Sequence, residues 1–167
     1  MAMLWAFAPA PAGGADQPGS GAAPAAAATP NAVLSLEGRI KHPQRLDSEA
    51  LRQLPAESVQ VSFQTDRGPL TASFTGTRLW AVLVAAGGID DDEKGAELRH
   101  VVKVTGQDGY WIVISTGEIA PDFGAEPAII AYRRDGAPLG GTGFRLVIPG
   151  DKHGGRSVRD VTAITIE

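Results

Sequence analysis

The sequence contains no cysteine, which excludes disulfide bonds, thiolate-bound metals, iron–sulfur clusters and cysteine nucleophiles. Its three histidines stand apart from one another, so we expect no histidine-rich zinc site. With 15 basic and 19 acidic side chains and a net charge of -4, it lacks the excess of Lys and Arg by which nucleic-acid-binding proteins attract phosphates. No apolar run reaches the roughly 18 residues of a membrane-spanning helix. The length of 167 residues and the 43% of hydrophobic residues suffice for one domain with a single core.

The composition changes sharply near residue 31. Residues 1–30 hold 12 Ala, 5 Pro and 4 Gly, with Asp16 as the only charged residue. Because such a segment has little large apolar surface to offset its ordering entropy, we predict that residues 1–31 are a disordered leader or linker. The start resembles the end of a signal-peptide core with an Ala-x-Ala site at Ala6-Phe7-Ala8, without the positive n-region. On the strength of the Ala-x-Ala site we expect export. The alternative is a flexible tail without function.

Residues 32–167 have the pattern of a compact mixed domain. Asp47 as N-cap and Pro55 as the stop predict a short helix over 46–54, and Thr77 and Gly87-Gly88 bound another over 78–85. Residues 116–119 suit one further helical turn. Alternating or continuous apolar runs predict strands over 33–40, 59–63, 70–74, 100–105, 110–114, 128–132, 144–148 and 158–166. About eight strands with two or three short helices predict an α+β domain of mixed β-sheets rather than a regular βαβ series.

The densest group of polar residues is the stretch 149–159, which directly follows a predicted strand. It combines three glycines with basic and hydroxyl side chains. Such a loop can turn backbone N–H groups and cations toward one point, which suits an anion. It is not a P-loop, because the Gly-Lys-Ser/Thr order is absent. The candidate residues are Lys152, His153, Arg156, Ser157 and Arg159. The alternative is a solvated basic loop.

A second group surrounds the predicted hairpin at Gln107-Asp108-Gly109. Aromatic faces beside a carboxylate suit a flat heterocycle with an amidine-like edge, because the ring stacks while the carboxylate accepts two parallel N–H bonds. Strand alternation puts Tyr110 and Trp111 on opposite faces, so one of them at most stacks on a ligand. The group comprises Asp108, Tyr110, Trp111, Glu118 and Asp122. The alternative is that the aromatic residues belong to the core and the acids to the surface.

No catalytic arrangement is recognisable. Ser115, Ser157 and His153 lack the Gly-x-Ser-x-Gly context of a nucleophile elbow. Without cysteine, and without two histidines at helical spacing, neither covalent nor zinc chemistry has its usual residues. Nothing in the residues themselves therefore indicates an enzyme.

Over nearly all of residues 32–167 the sequence resembles the molybdopterin-binding domain of the sulfite-oxidase fold. Four segments carry the resemblance in the same order and spacing: Phe74-Thr-Gly-Thr-Arg-Leu-Trp-Ala-Val-Leu-Val, Gly106-Gln-Asp-Gly-Tyr110, Arg134-Asp-Gly-Ala-Pro-Leu139, and Phe144-Arg-Leu-Val-Ile-Pro-Gly150 with Arg156-Ser-Val-Arg159. The resemblance implies the sulfite-oxidase-like fold and a pterin-sized pocket.

In the enzymes of that family a cysteine thiolate ligates molybdenum, and the resemblance puts the corresponding position at Phe63-Gln64-Thr65. Since the chain has no cysteine, it is more similar to the small, cysteine-free, stand-alone members, among them the PruR-type periplasmic pterin-binding proteins. That resemblance implies a non-catalytic, exported bacterial protein that senses a reduced, tetrahydropterin-like pterin. It also implies a partner, the periplasmic domain of a membrane-bound enzyme of cyclic-di-GMP signalling.

The same resemblance implies roles for the candidate residues. The loop from Asp151 to Arg159 corresponds to the segment that reaches the phosphate and pterin groups of the cofactor. Glu118 or Asp122 is expected at the pterin amino edge, because Ala120 replaces the acid of the usual Asp-Pro pair. Tyr110 or Trp111 is expected to stack, with Arg145 as support. Two alternatives stay open: a molybdopterin-dependent oxidoreductase subunit that lacks the cysteine ligand, and an interaction module whose pocket has decayed.

Overall fold

The computed structural model describes residues 32–167, and the predicted disorder and export signal of residues 1–31 lie outside them. The described chain contains ten strands, three α-helices and two 3₁₀ turns at Ala96–Leu98 and Gly154–Arg156. The strands are β1 Val33–Gly38, β2 Gln44–Asp47, β3 Ala56–Thr65, β4 Gly68–Arg78, β5 Val101–Gly106, β6 Trp111–Ser115, β7 Ile129–Arg134, β8 Ala137–Pro138, β9 Arg145–Val147 and β10 Val161–Ile166. The helices are α1 Ser48–Gln53, α2 Leu79–Ala85 and α3 Thr116–Ile119. The α+β class with mixed sheets is confirmed, and β2 and β8 are additional to the predicted strands.

The first sheet has the strand order β2-β1-β10-β5-β6. Its central pair, β1 and β10, is parallel, with Ser35 opposite Ala163, and the other pairs are antiparallel. Alternate residues such as Val102, Val104 and Ile164 are fully buried on one face, as the period-2 pattern predicts. The other face of this sheet remains partly exposed.

The second sheet has the order β3-β4-β7-β8, and β9 also pairs with β7. Its strand β7 is buried on both faces. Ile130 packs in the larger core with the first sheet and the helices, whereas Ile129 and Ala131 pack in a smaller cluster with Phe63 and Phe74. The continuous apolar run in this strand therefore reflects two cores, one on each side.

The helix ends test the local predictions directly. Asp47 caps α1, since its carboxylate accepts from the N–H groups of Glu49 and Ala50 at 3.0 and 2.8 Å, which confirms the predicted cap. The predicted cap at Thr77 is wrong, because this buried hydroxyl donates to the carbonyl of Leu51 on α1 instead. None of the helices in residues 32–167 is long and apolar enough to cross a bilayer.

His100 is a buried polar side chain at the start of β5. Its Nε2 lies 2.9 Å from the carboxylate of Asp91, and its Nδ1 lies 3.1 Å from the carbonyl of Glu167. The backbone N–H of Glu93 also donates to Asp91 at 2.9 Å. These contacts, first the Glu93 hydrogen bond and then His100, lower the pKa of Asp91 below its usual 3.8. The pair thus fastens the loop before β5 to the end of the chain.

Gly76 is expected to tolerate no side chain. It lies at the register shift between β4 and β7, where an added Cβ would be 2.2 Å from the carbonyl oxygen of Ile130 and 2.5 Å from the Cα of Ala131. Because both atoms belong to the backbone of a buried strand, Gly76→Ala should lower the free energy of unfolding by about 3 kcal/mol. Urea denaturation measures this. The control Gly140→Ala, which enters open space, should change it by less than about 0.5 kcal/mol.

The Asp91 carboxylate should stabilise the fold only when it is ionised. Since its pKa is lowered in the folded state, its contribution is complete above the unfolded pKa of about 4 and is lost as the pH falls through the folded value. Asp91→Asn should therefore lower the unfolding free energy at pH 6, and the difference from the wild type should shrink between about pH 5 and pH 2. Denaturation series at several pH values measure it. A constant difference would contradict a role for the charge.

Candidate functional site

A polar cleft of about 770 Å³ opens between the two sheets. Its walls are the β3–β4 turn, the β5–β6 hairpin, the side chains of β7 and β9, and the 3₁₀ turn Gly154–Arg156 of residues 149–159, which we call the basic loop. The lining residues are Phe63, Gln64, Thr65, Asp66, Arg67, Gly68, Pro69, Leu70, Asp108, Tyr110, Arg134, Arg145, His153, Gly154, Gly155, Ser157 and Arg159.

A smaller groove of about 460 Å³ lies elsewhere, around Trp80 and Ile119. It is lined mainly by apolar residues. Its charged residues, Arg78 and Glu57, are paired with each other. The groove therefore offers a ligand no charged side chain that is free of an ion pair within residues 32–167. The polar cleft offers such side chains, so it is the candidate site.

The basic loop passes directly beneath the end of β3. The N–H of Gln64 donates to the carbonyl of Lys152 at 2.9 Å, and Gln64 forms an isolated parallel bridge with His153. Gly154 approaches the Phe63 ring so closely that a Cβ would lie 3.0 Å from a ring carbon. A side chain at this point would therefore push against the Phe63 ring, which is itself buried. Gly154 and Gly155 of the basic loop thereby form the floor of the cleft.

The β5–β6 hairpin supplies the opposite wall. Gly109 has φ of 80°, as the Asp-Gly signal predicts, and the Asp108 carboxylate accepts from the N–H of Tyr110 at 3.0 Å. The Tyr110 hydroxyl donates to the carbonyl of Gly155 across the cleft floor at 2.7 Å. This bond fixes the half-exposed aromatic ring beside the cleft.

The cleft owes its positive charge to four arginines that line it: Arg67, Arg134, Arg145 and Arg159. Arg145 is half-buried, and its Nε donates to the Ser157 hydroxyl at 2.9 Å. Burial, followed by the neighbouring charges of Arg159 and Arg134, lowers the pKa of Arg145 to about 10, so it remains protonated at neutral pH. The Arg145 and Arg134 side chains also lie over the Phe74 ring, at 5.3 and 6.0 Å from its centre.

The four arginines outnumber the two carboxylates that line the cleft, Asp66 and Asp108. No carboxylate of the described chain forms an ion pair with Arg145 or Arg159, whereas Arg134 pairs with Asp135 at 3.2 Å. Like charges held together in a half-buried cleft raise the electrostatic energy of the empty site. An anion that accepts hydrogen bonds from these groups relieves that energy, so the arrangement is suited to a phosphate.

Arg156 makes a different set of contacts. Its Nε and Nη2 donate to both carboxylate oxygens of Asp151 at 3.1 and 2.6 Å, and its Nη1 donates to Glu118 at 2.7 Å. These hydrogen bonds, with Asp151 the stronger cause, raise the pKa of Arg156 above its usual range. The network ties the basic loop to α3, outside the cleft lining.

The structure brings six of the eleven candidate residues together. Those that line the cleft are Asp108, Tyr110, Arg145, His153, Ser157 and Arg159. Five others lie outside it: Trp111, Glu118, Asp122, Lys152 and Arg156. Arg156 and Glu118 pair with each other, Trp111 and Lys152 are exposed at the edges, and Asp122 is exposed after α3. Their roles in ligand binding stay predictions.

Sequence reasoning did not select Arg67 and Arg134 as site residues. Both occur in turn sequences, Arg67-Gly68-Pro69 and Arg134-Asp135-Gly136, where an arginine is ordinarily a solvated surface residue. The sequence feature that could have indicated them is that each of these two arginines lies in a turn directly beside an apolar strand. Only the pairing of β3, β4 and β7 places these two turns at the same cleft.

The donor set does not fit thiolate-ligated molybdenum. Thr65 occupies the cleft wall where the resemblance expects the cysteine, and its hydroxyl donates to the carbonyl of Gly68 at 2.7 Å. A hydroxyl is a poor substitute for a soft thiolate, and the sequence holds no cysteine. In residues 32–167 no three His, Asp or Glu side chains cluster closely enough to hold a metal ion. The arginines, by contrast, fit the phosphate of a pterin cofactor.

Arg156→Lys should loosen the floor of the cleft. A lysine keeps the charge but loses the two-pronged contact with Asp151, so the loop should open more often. Hydrogen exchange of the amides of Gln64 and Ser157, which bond to Lys152 and Gly154, should accelerate. The matched control Arg99→Lys, at an exposed ion pair with Glu93, should leave both amides unchanged. Equal protection in the two variants would contradict the role of Arg156 in holding the loop.

Comparison with known proteins agrees with the resemblance seen in the sequence. Among the 28 matching chains of solved structures is the sulfane dehydrogenase SoxCD from Paracoccus pantotrophus, with a TM-score of 0.65 and 18% sequence identity. The match covers 80% of this chain and 37% of that chain, so this protein spans less than half the length of its structural neighbour. At this identity the likeness concerns the fold.

No curated protein matches the sequence. The family described as "Oxidoreductase molybdopterin binding domain" matches residues 21–167, which is most of the chain and includes every residue of the cleft. The match confirms the sulfite-oxidase-like fold expected from the sequence. This protein belongs to the oxidoreductase molybdopterin binding domain family.

Proposed function

We propose that this protein binds a reduced, tetrahydropterin-like pterin in the polar cleft and acts as a non-catalytic pterin sensor. The observation that carries the proposal is that Arg145 and Arg159 line the cleft without an ion-pair partner in residues 32–167, while the chain contains no cysteine. The arginines suit an anionic pterin, while the thiolate that anchors the metal in the related enzymes is missing. The family thus supports a molybdopterin-related ligand, and the residues favour binding over redox chemistry.

The phosphate end of such a ligand is assigned to the arginines. Arg145 is oriented by Ser157, whose hydroxyl in turn donates to the carbonyl of Leu146 at 3.0 Å. Because the guanidinium is held before the ligand arrives, little side-chain entropy is lost on binding. Arg159 follows in the same loop and is exposed to the cleft. Charge-assisted hydrogen bonds from these two groups are the strongest contacts that the cleft offers.

The ring end is assigned to the hairpin. Only one Asp108 oxygen accepts a hydrogen bond from the described chain, that of the Tyr110 N–H, which leaves the other oxygen for the amino edge of a pterin. The Tyr110 ring is held by its bond to Gly155 and supplies a flat apolar face. Asp108 is therefore the carboxylate proposed for the amino edge, because Glu118 and Asp122 lie outside the cleft lining.

A molybdopterin-dependent oxidoreductase subunit is the second candidate, favoured by the family match itself. When bound, molybdopterin supplies oxygen-atom and electron transfer at its metal. The residues of this chain would then hold the pterin phosphate through Arg145 and Arg159, with Thr65 on the cleft wall. This candidate requires molybdenum to be retained without a cysteine ligand.

Export to the periplasm and a membrane-bound partner in cyclic-di-GMP signalling complete the proposal. Both rest on the resemblance to small, cysteine-free, PruR-type proteins. Fractionation of cells that produce the full chain tests export, since the protein should be released with the periplasm. Recovery in the cytoplasmic fraction would remove the periplasmic role.

Mass spectrometry and metal analysis of protein purified from a pterin-making host distinguish the two candidates. A metal-free pterin near equal stoichiometry supports the sensor. Molybdenum together with a phosphorylated pyranopterin, and reduction of an artificial acceptor, supports the oxidoreductase. Protein that carries neither group, and binds no added reduced pterin, contradicts both.

Arg159→Gln should weaken binding of a phosphorylated pterin by about 10- to 100-fold, because a charged hydrogen-bond donor is lost. The same pterin without its phosphate should lose less affinity. Isothermal titration calorimetry under anaerobic conditions, which protect the reduced ring, measures both. The control Arg45→Gln, at an exposed position of β2, should bind both pterins as the wild type does. Equal losses for the two pterins would exclude a phosphate role for Arg159.

A further inference from the structure

We propose that β6 pairs with β6 of a second copy of this chain, antiparallel about a two-fold axis at Val113, so that one sheet continues through a dimer. The inference goes beyond the proposed function and does not depend on which ligand the cleft binds. It starts from the backbone of β6, which is the last strand of the first sheet and, within residues 32–167, pairs only with β5.

The hydrogen bonds that flank the strand fix which groups point outward. The N–H of Gly106 donates to the carbonyl of Tyr110 at 2.8 Å, and the N–H of Thr116 donates to the carbonyl of His100 at 3.0 Å. In an antiparallel ladder every second pair is hydrogen-bonded. The backbone N–H and C=O groups of Ile112 and Ile114, which lie between these two bonds, therefore also point toward β5. The N–H and C=O groups of Trp111, Val113 and Ser115 therefore face away from the sheet.

The same three residues expose their side chains. Trp111 is 53% exposed and Val113 is 46% exposed, and Ser115 is exposed as well. The strand Trp111–Ser115 contains no charged residue and no proline. Charges and prolines are the usual means by which proteins block edge-to-edge pairing. By contrast, the edge strand β2 has four residues, two of them charged.

A two-fold axis makes this edge complementary to itself. With Val113 opposite Val113 of the second copy, Trp111 lies opposite Ser115, and each of these pairs is hydrogen-bonded. No like charges face each other, since the strand has none. Leu98, 56% exposed, lies beside Gly117 just past the end of β6. Pairing therefore brings Leu98 of one copy to the end of the strand pair where Trp111 of the other lies, its ring 4.9 Å from the Lys103 ammonium on its own β5.

The expected dimer is weak. A pair of five-residue strands buries less than the roughly 800 Å² per partner of a standard interface. We therefore expect a dissociation constant of the order of 10–100 µM.

Sedimentation equilibrium of the full chain over a range of concentrations that spans this value tests the proposal. The wild type should show a reversible monomer–dimer equilibrium. Val113→Lys and Val113→Asp should each weaken association at least tenfold, because each puts like charges opposite each other at the axis. An equimolar mixture of the two variants should restore a heterodimer. Val84→Lys, at a valine on α2 that is 56% exposed, is the matched control and should dimerise as the wild type does.

Hydrogen exchange of the wild type provides a test that needs no variant. The amides of Trp111, Val113 and Ser115 should gain protection as the protein concentration rises, while exposed amides of β2 should not. A wild type that stays monomeric up to about 1 mM, well above the expected dissociation constant, would overturn the proposal. So would a dimer whose β6 amides gain no protection, or variants whose mixture fails to associate.

Discussion

The cleft depends on one contact, the approach of the basic loop to the end of β3. A backbone hydrogen bond from Gln64 to Lys152 and the close packing of Gly154 on Phe63 hold the loop there. Without this contact the Gly-rich segment 152–155 would be an ordinary solvated surface loop. The residues that follow it are held separately by β9, since the N–H of Leu146 donates to the carbonyl of Val158 at 2.9 Å. With it, Gly154 and Gly155 line the same cleft as Ser157 and Arg159, which lie directly beside Arg145 of β9.

The charges around this contact divide into two groups with opposite consequences. Arg156 is neutralised by Asp151 and Glu118, and its hydrogen bonds hold the loop in place. Arg145 and Arg159 have no such partners in the described chain, so their positive charge is available to a ligand. The same residue type thus serves structure at one position and recognition at another, according to the carboxylates within reach. This division favours an anionic ligand without requiring a metal.

Local rules predicted the elements whose causes lie within a few residues. The Asp47 cap and the Asp108-Gly109 turn formed as expected because a side chain and the adjacent backbone decide them. The Thr77 cap failed because a distant acceptor, the carbonyl of Leu51, took its hydroxyl. The short strands β2 and β8 escaped prediction because pairing with β1 and β7, rather than their own sequence, makes them extended.

The sequence by itself determined the class of the domain, the absence of a thiolate ligand and the basic character of the loop 149–159. It did so because composition and period-2 patterning are properties of the chain alone. Only the tertiary structure decided which cations share a cleft and which are neutralised. Arg67, Arg134 and Arg145 come together through strand pairing, and the chain pattern carries no information on their separation in space. The separation matters because Coulomb interactions depend on the distance between charges and on their burial, so only arginines that share the cleft can bind one anion together.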